Sequence, residues 1–314
     1  MPQWTLTLED AGIRLDKYLA APDRAGSRAR AADALERGKV FVNDREASLG
    51  EAATRLTVGD IVRLWVDRPG SAKRRTTLGD DRDLPIVYED DVLIVLNKPA
   101  GLLAVPLPPE RRHDAPSLFE DLKSYLRGRG RRRPFVVHRI DRDTSGLVLF
   151  AKTAAAQATL KAQFKRHQPE RVYQAVVYGH PSPLAGTWRD HLVWDPRSLI
   201  QKETHPRDAR GKEAICHYRV IEKLAGAAVI EVKLVTGKRN QIRIQARLRG
   251  HTLVGEQRYV YGPEELRSIT FPRQALHALR LAFRHPVDKR DMRFEAPLPD
   301  DLLALIARLR RRPP

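Results

Sequence analysis

From residue 83 onward, short apolar runs bounded by Gly, Pro, Asn and Asp recur along the chain and predict strands. Residues 147–151 form an uninterrupted apolar run, the pattern of a strand covered on both faces, and Gly146 allows it a tight entry. Helical spacing interrupts the strands at residues 153–166, through Ala154, Ala155, Ala158, Leu160 and Phe164, and residues 302–312 read as a closing amphipathic helix with a basic tip. The layout is α+β.

The first 68 residues form a separate pattern. Residues 13–19 and 27–37 predict two helices, the second started by Ser27 as N-cap and closed by Gly38, and residues 40–43 and 60–64 predict strands. Apolar periodicity stops near Asp67, where Pro, Gly, Ser and basic residues take over, so residues 69–82 read as a linker. Residues 83–314 form the second domain, with a polar insertion at 106–134. No internal repeat is visible.

Charge narrows the partners. The 314 residues carry 57 Lys plus Arg against 39 Asp plus Glu, a formal net charge of +18, which favours a polyanion. No apolar run approaches the roughly 20 residues that span a bilayer, and the N-terminus lacks the layout of a secretory signal, so no membrane association is expected. Cys216 is the lone cysteine, which excludes an intrachain disulfide and a thiolate zinc cluster and fits a reducing cytoplasm. It stands in an alternating stretch and reads as a core strand cysteine. On the second helix Arg30 and Arg37 share one face while Ala31, Ala34 and Leu35 lie on another. The tract at 127–133 holds five Arg and two Gly; like charges with glycine cannot pack a core, so it is expected to be mobile and to contact phosphates.

The densest chemistry lies at residues 138–152. Asp141 stands between Arg139 and Arg142 just before the apolar strand, and neighbouring positive charge favours an ionised carboxylate, suited to a nucleophile. This segment resembles the signature motif of the RluA family of pseudouridine synthases. Four further stretches are similar to that family's motifs: Tyr88-Glu89-Asp90 with residues 93–101; the tyrosine strand at 171–179; residues 236–243, trailed by Gly250, Gly255 and Tyr261-Gly262; and Leu276-His277-Ala278 with His285-Pro286. Together they cover roughly residues 84–290.

The resemblance implies a mixed, mainly antiparallel sheet catalytic domain that isomerises uridine in RNA without cofactor or metal. Asp141 would carry the chemistry, by attacking the sugar or base or by removing a sugar proton. Arg243 would pair with it, and Tyr173 would stack on the uracil. Arg139 would fill the helix stack when the nucleotide flips out, or alternatively bridge Asp143. His138, Thr144, Lys238, Gln241, Leu248, Asn97 and Lys98 are further expected around the substrate. His138 and His277 show no metal-ligand spacing, and Asp141 and Asp143 are not read as a shared carboxylate site.

The N-terminal unit resembles the S4 RNA-binding domain, a small α/β fold, through residues 12–19, Ser27-Arg28, Gly38-Lys39-Val40, Val42-Asn43 and Val58-Gly59-Asp60. It implies RNA contacts from Arg28, Arg30, Arg37 and Lys39, joined by Arg131, Arg132 and Arg133 of the basic tract. The expected substrate is ribosomal RNA, with transfer RNA or a non-catalytic role in RNA binding or ribosome assembly as alternatives. No obligatory protein partner is evident, and a monomer is expected. Lys238, Arg239, Asn240 and Gln245 replace the Arg, Thr, His and His more usual in the family's third motif, and Glu256 stands where Asp is commoner. Lys238 keeps the charge and loses the guanidinium fork. These departures bear on the substrate more than on the activity.

Overall fold

The computed structural model describes residues 2–65, 84–107, 116–127, 133–198, 200–260 and 268–311. The chain separates into two compact units, Met1–Asp81 and Arg82–Pro314.

In the first unit, β1 (Gln3–Thr5), β2 (Val40–Val42), β3 (Arg45–Glu46) and β4 (Ile61–Leu64) form an antiparallel sheet in the order β1-β4-β2-β3, with α1 (Leu15–Leu19) and α2 (Arg28–Glu36) packed into the same core. Ser27 starts α2 as expected: its backbone is extended and its side chain accepts the Arg30 N–H at 3.2 Å. Ala31, Ala34 and Leu35 turn inward to meet Tyr18, Leu19, Val40 and Val62. The expected first helix loses its opening residues because Arg14 is still extended. β1 is too short to show a period and was not legible. Arg28 and Arg30 are exposed, Lys39 is half-buried, and Arg37 is held by Asp33 one turn earlier at 2.7 Å. This small α/β unit with an antiparallel sheet fits the S4-like class.

The second unit is built on an 11-stranded sheet. Its strands are β5 (Ile86–Glu89), β6 (Leu93–Lys98), β7 (Phe135–Val136), β8 (Ser145–Ala151), β9 (Glu170–Tyr178), β10 (Ala185–Asp195), β11 (Ile200–Glu203), β12 (Lys212–Leu224), β13 (Ala227–Leu234), β14 (Leu276–Arg284) and β15 (Asp291–Glu295). The order is β11-β10-β12-β13-β9-β14-β8-β6-β5, with β15 on β14 and β7 on β8. Every pairing is antiparallel except that of β14 with β8, where His277 stands opposite Ser145 and Ala278 opposite Gly146. Gly146 is required there: its φ is +111°, and a Cβ would lie 2.3 Å from the Ala278 carbonyl oxygen.

All seven residues of β8 are buried, as the apolar run predicts. Leu147, Leu149 and Ala151 pack with Ala156 and Leu160 of α4 (Ala154–Lys165), and Phe150 meets Phe119 of α3 (Leu118–Arg127) on the other face. Thr153 caps α4 by accepting the Ala156 N–H at 3.2 Å. α3 corrects the reading of residues 106–134 as a purely polar insertion, because Leu118, Leu122 and Leu126, spaced by four, are buried. Each such leucine contributes roughly 2 kcal/mol of burial. Of the basic tract, Arg127 ends α3 and Arg133 is exposed, its guanidinium 4.8 Å from the Phe135 ring centre; Arg131, Arg132 and the linker at 69–82 lie outside the described residues. Between β13 and β14 stands α5 (Gln241–Leu248), and α6 (Asp300–Arg310) closes the fold by burying Leu302, Leu305, Ile306 and Leu309 against Val176, Val229 and Val254. Among the described residues no helix is long and apolar enough to cross a membrane. Cys216 is wholly buried on β12, where burial, with Asp190 adding, pushes its thiol up to about 12. That suits a core cysteine.

Candidate active site

Asp141 lies in the turn between β7 and β8, and the Thr144 N–H donates to its carbonyl at 3.2 Å. Two buried cations hold this turn from outside. Lys98, at the end of β6, is 0 % exposed, and its Nζ donates to the carbonyls of Pro99, Leu102 and Arg142 at 2.7, 2.8 and 2.8 Å. Burial lowers its pKa to about 7, against the pull of Asp143 and Asp141. Arg273 donates to the Asp143 carbonyl at 3.1 Å and is fixed by Asp301 through bonds of 2.7 and 2.9 Å. Lys98 therefore supports the turn and does not line the cleft.

The opposite wall is α5 with the loop before it. Buried Gln241 shapes that loop: its Oε1 accepts the Lys238 N–H at 2.9 Å and the Thr236 hydroxyl at 2.8 Å, and its Nε2 donates to the Ile215 carbonyl at 3.1 Å. Arg243 projects from the first turns of α5, and its Nη1 donates to Asp141 Oδ2 at 3.2 Å. Its Nε and Nη2 are committed to Glu256 at 2.7 and 2.6 Å, and its guanidinium stands 5.4 Å from the Tyr259 ring centre. Glu256 also accepts the N–H groups of Arg258 and Tyr259 at 2.8 and 3.1 Å. Burial opposes both charges, but their pairing outweighs it: the Arg243 pKa is raised and the Glu256 pKa lowered. Asn240 adds a second bond to the same carboxylate oxygen, with Nδ2 donating to Asp141 Oδ2 at 2.6 Å.

Tyr173 comes from β9, where it stands opposite Val232 and Ala278. Burial raises its phenol pKa, Arg171 opposes the rise, and Asp141 adds to it. Asp141, Tyr173 and Arg243 line one cleft, together with Arg139, Thr144, Lys238 and Gln241. Seven of the residues expected at the site thus meet in one place. Arg139 is exposed at this cleft and does not bridge Asp143, which is taken by Arg142 at 3.0 Å.

The other expected positions stand apart. His138 stacks on Phe164 with ring centres 4.9 Å apart, and its Nε2 accepts the Leu149 N–H at 3.1 Å. Burial, with Arg171 adding, holds its pKa down at about 3, so it is a neutral support for β8. Leu248 packs against the cluster of Leu192, Ala214, Ile244 and Tyr259, and Asn97 pairs in register with Leu147 while its N–H donates to the Pro85 carbonyl at 2.8 Å. These side chains line the cleft nowhere, because they belong to the sheet and helix packing around it. His277 is also structural: Nδ1 meets the Ser145 hydroxyl at 2.9 Å and Nε2 the Ala296 carbonyl at 3.2 Å. Among the described residues no group of three or more His, Cys, Asp or Glu could hold a metal ion.

Sequence reasoning missed Tyr259 and Asp190. Asp190 anchors Gln245 at 2.7 Å and Arg249 at 2.8 Å from across the sheet. The unusual residues of the third motif were the available signal, since Asn240 and Gln245 both carry amides that need partners once buried.

Comparison with known proteins agrees with this geometry. The family model for RNA pseudouridylate synthase matches residues 92–248. The ribosomal large subunit pseudouridine synthase D of Zymomonas mobilis is 38% identical over 98% of this chain and 97% of its own. An uncharacterized RNA pseudouridine synthase of Bacillus subtilis, YlyB, is 36% identical over 98% of this chain and 97% of its own. Among solved structures, human RNA Pseudouridylate Synthase Domain Containing 4 shares the fold, with a TM-score of 0.58 at 19% identity over 72% of this chain and 92% of its own. With the cleft between β8, β9 and α5 lying largely inside the matched span, this chain belongs to the RluA family and is an RNA pseudouridine synthase, an isomerase of uridine in RNA.

Proposed function

We propose that the protein isomerises one or more uridines of large-subunit ribosomal RNA, with Asp141 as the reacting carboxylate, Arg243 as its cationic partner and Tyr173 as the platform for the base. The observation that carries the reading is the 3.2 Å contact between Arg243 and Asp141 in a cleft that Tyr173 also lines. In the reaction the N1–C1′ bond breaks, the detached uracil turns, and a C5–C1′ bond forms. The C5 proton leaves and N1 gains one, so no atom is gained or lost overall. A carboxylate fixed by a cation suits attack on an electrophilic carbon, and a buried aromatic side chain with an elevated pKa suits stacking on a neutral base.

The substrate assignment rests on the large-subunit enzyme of Zymomonas mobilis and on the net charge of +18. Residues 1–68 serve as an S4-like RNA-binding unit through Arg28, Arg30, Arg37 and Lys39, residues 69–82 link it to the catalytic domain at 83–314, and Arg131, Arg132 and Arg133 add phosphate contacts. Arg139, Thr144, Lys238 and Gln241 contact the target nucleotide. The protein works as a cytoplasmic monomer.

The test is a map of pseudouridines in ribosomal and transfer RNA from cells with and without the gene. A large-subunit site should vanish, and return with the wild-type gene but not with Asp141→Asn. Loss confined to transfer RNA overturns the substrate, and restoration by Asp141→Asn overturns the catalytic assignment.

A further inference from the structure

Asn240 occupies the N-cap of α5, where an asparagine side chain ordinarily accepts a backbone N–H of the new helix. It makes no such bond. Its backbone is left-handed, with φ 53° and ψ 24°, a conformation asparagine tolerates better than most residues, and its amide reaches Asp141. Nδ2 lies 2.6 Å from Asp141 Oδ2, within hydrogen-bond reach of the carboxylate.

The other end of the amide is also fixed. The Tyr259 hydroxyl donates to Asn240 Oδ1 at 3.3 Å, and the Tyr259 oxygen already accepts the Gln201 N–H at 2.9 Å. The bonds from Gln201 through Tyr259 and Asn240 to Asp141 therefore run in one direction, which leaves Nδ2 pointing at the carboxylate. Arg243 donates to the same oxygen, Oδ2, and among the described residues Oδ1 receives no hydrogen bond.

We propose that Asn240 is a positioning residue: with Arg243 it anchors Oδ2 of Asp141 and reserves Oδ1 for the target nucleotide. The inference rests on the reading of Asp141 as the reacting carboxylate. A carboxylate held at one oxygen by two donors from α5 cannot swing or exchange its oxygens, so the free one keeps one direction of approach. The titratable and charged groups around Asp141 are Arg243 from α5, Lys238 from the loop before it, Tyr173 from β9, Lys98 from β6, Tyr259 after α5 and Arg139 from its own turn. An amide donor adds none, so the anchor persists at every working pH.

The experiment follows tritium release from RNA labelled at uridine C5 and drawn from cells lacking the gene, using Asn240→Asp, Asn240→Ala, Tyr259→Phe and Asp141→Asn. Asn240→Asp keeps the volume and replaces the donor by an acceptor. Its kcat should fall about 10²-fold near pH 8 with KM changed less than about twofold. Its kcat relative to wild type should recover as pH falls and the facing carboxyls share a proton, which a purely structural role would not produce. Tyr259→Phe, which frees the amide to turn, should lower kcat severalfold. If Asp141→Asn is inert while the folded Asn240 variants keep wild-type kcat or change only KM, the anchor is refuted and the reading of Asp141 stands. If Asp141→Asn turns over like wild type, the underlying reading fails instead. Should the Asn240 variants not fold, Tyr259→Phe decides: an unchanged kcat refutes the anchor.

Discussion

Glu256 grips Arg243 at two points, Oε2 on Nε at 2.7 Å and Oε1 on Nη2 at 2.6 Å, with no exposure of the glutamate side chain, and only the remaining nitrogen of the fork reaches Asp141. The pair sets the direction of the guanidinium before any RNA arrives. Glu256→Ala would remove the two-point partner of a buried cation and leave it only the single bond to Asp141, a loss of about 3 kcal/mol in stability, read by urea denaturation. Arg243→Lys keeps the charge but cannot span both carboxylates, so turnover should fall by more than about tenfold with less destabilisation.

Glu256 also sets an acid limit. Its folded pKa lies below the unfolded value of 4.5, so its stabilisation is present above 4.5 and is lost as pH falls through the folded value. Glu256→Gln should therefore show a shallower loss of stability than wild type on acidification below about pH 4.5, measured as urea midpoints across that range.

Lys98 acts in the same direction with pH, over a higher range. Its folded pKa of about 7 lies below the unfolded 10.5, so between these values the unfolded chain binds the extra proton and stability rises with pH from this group. Lys98→Met should remove that rise between about pH 7 and 10, and should weaken catalysis by releasing the carbonyl of Arg142 beside Asp141. Identical pH slopes for the two proteins would refute this.

Gly146→Ala places a methyl group 2.3 Å from the Ala278 oxygen, at a backbone with φ +111°. Backbone on both sides leaves no flexible side chain to yield. The substitution should cost at least about 3 kcal/mol and separate β8 from β14, observed as insoluble expression or a lowered melting temperature.

Replacing Arg131, Arg132 and Arg133 by alanine should flatten the dependence of log affinity on log salt by up to about 2–3, without abolishing turnover. An unchanged slope would remove the tract from the RNA interface.

What could be read in the chain depended on how local the physics was. β8 was legible because a strand covered on both faces must be continuously apolar, and α4 because Thr153 caps an obvious period. α3 was hidden, since its three leucines stand among charges in a segment dominated by arginine. Asp141, Arg243 and Tyr173 were recognisable through motifs, but the partners that orient them were not: Tyr259 reaches Asn240 from 19 residues away and Asp190 reaches Gln245 from 55. Such bonds have no period and appear only once the sheet has brought the strands together.

The turn that carries Asp141 has no ladder of its own and is fastened by Lys98 from 44 residues before and Arg273 from 130 residues after. The position of Asp141 is therefore set by the docking of distant segments and not by the local chain. Loosening either hold would unseat the carboxylate while leaving the net charge of +18, and with it non-specific adhesion to RNA, unchanged.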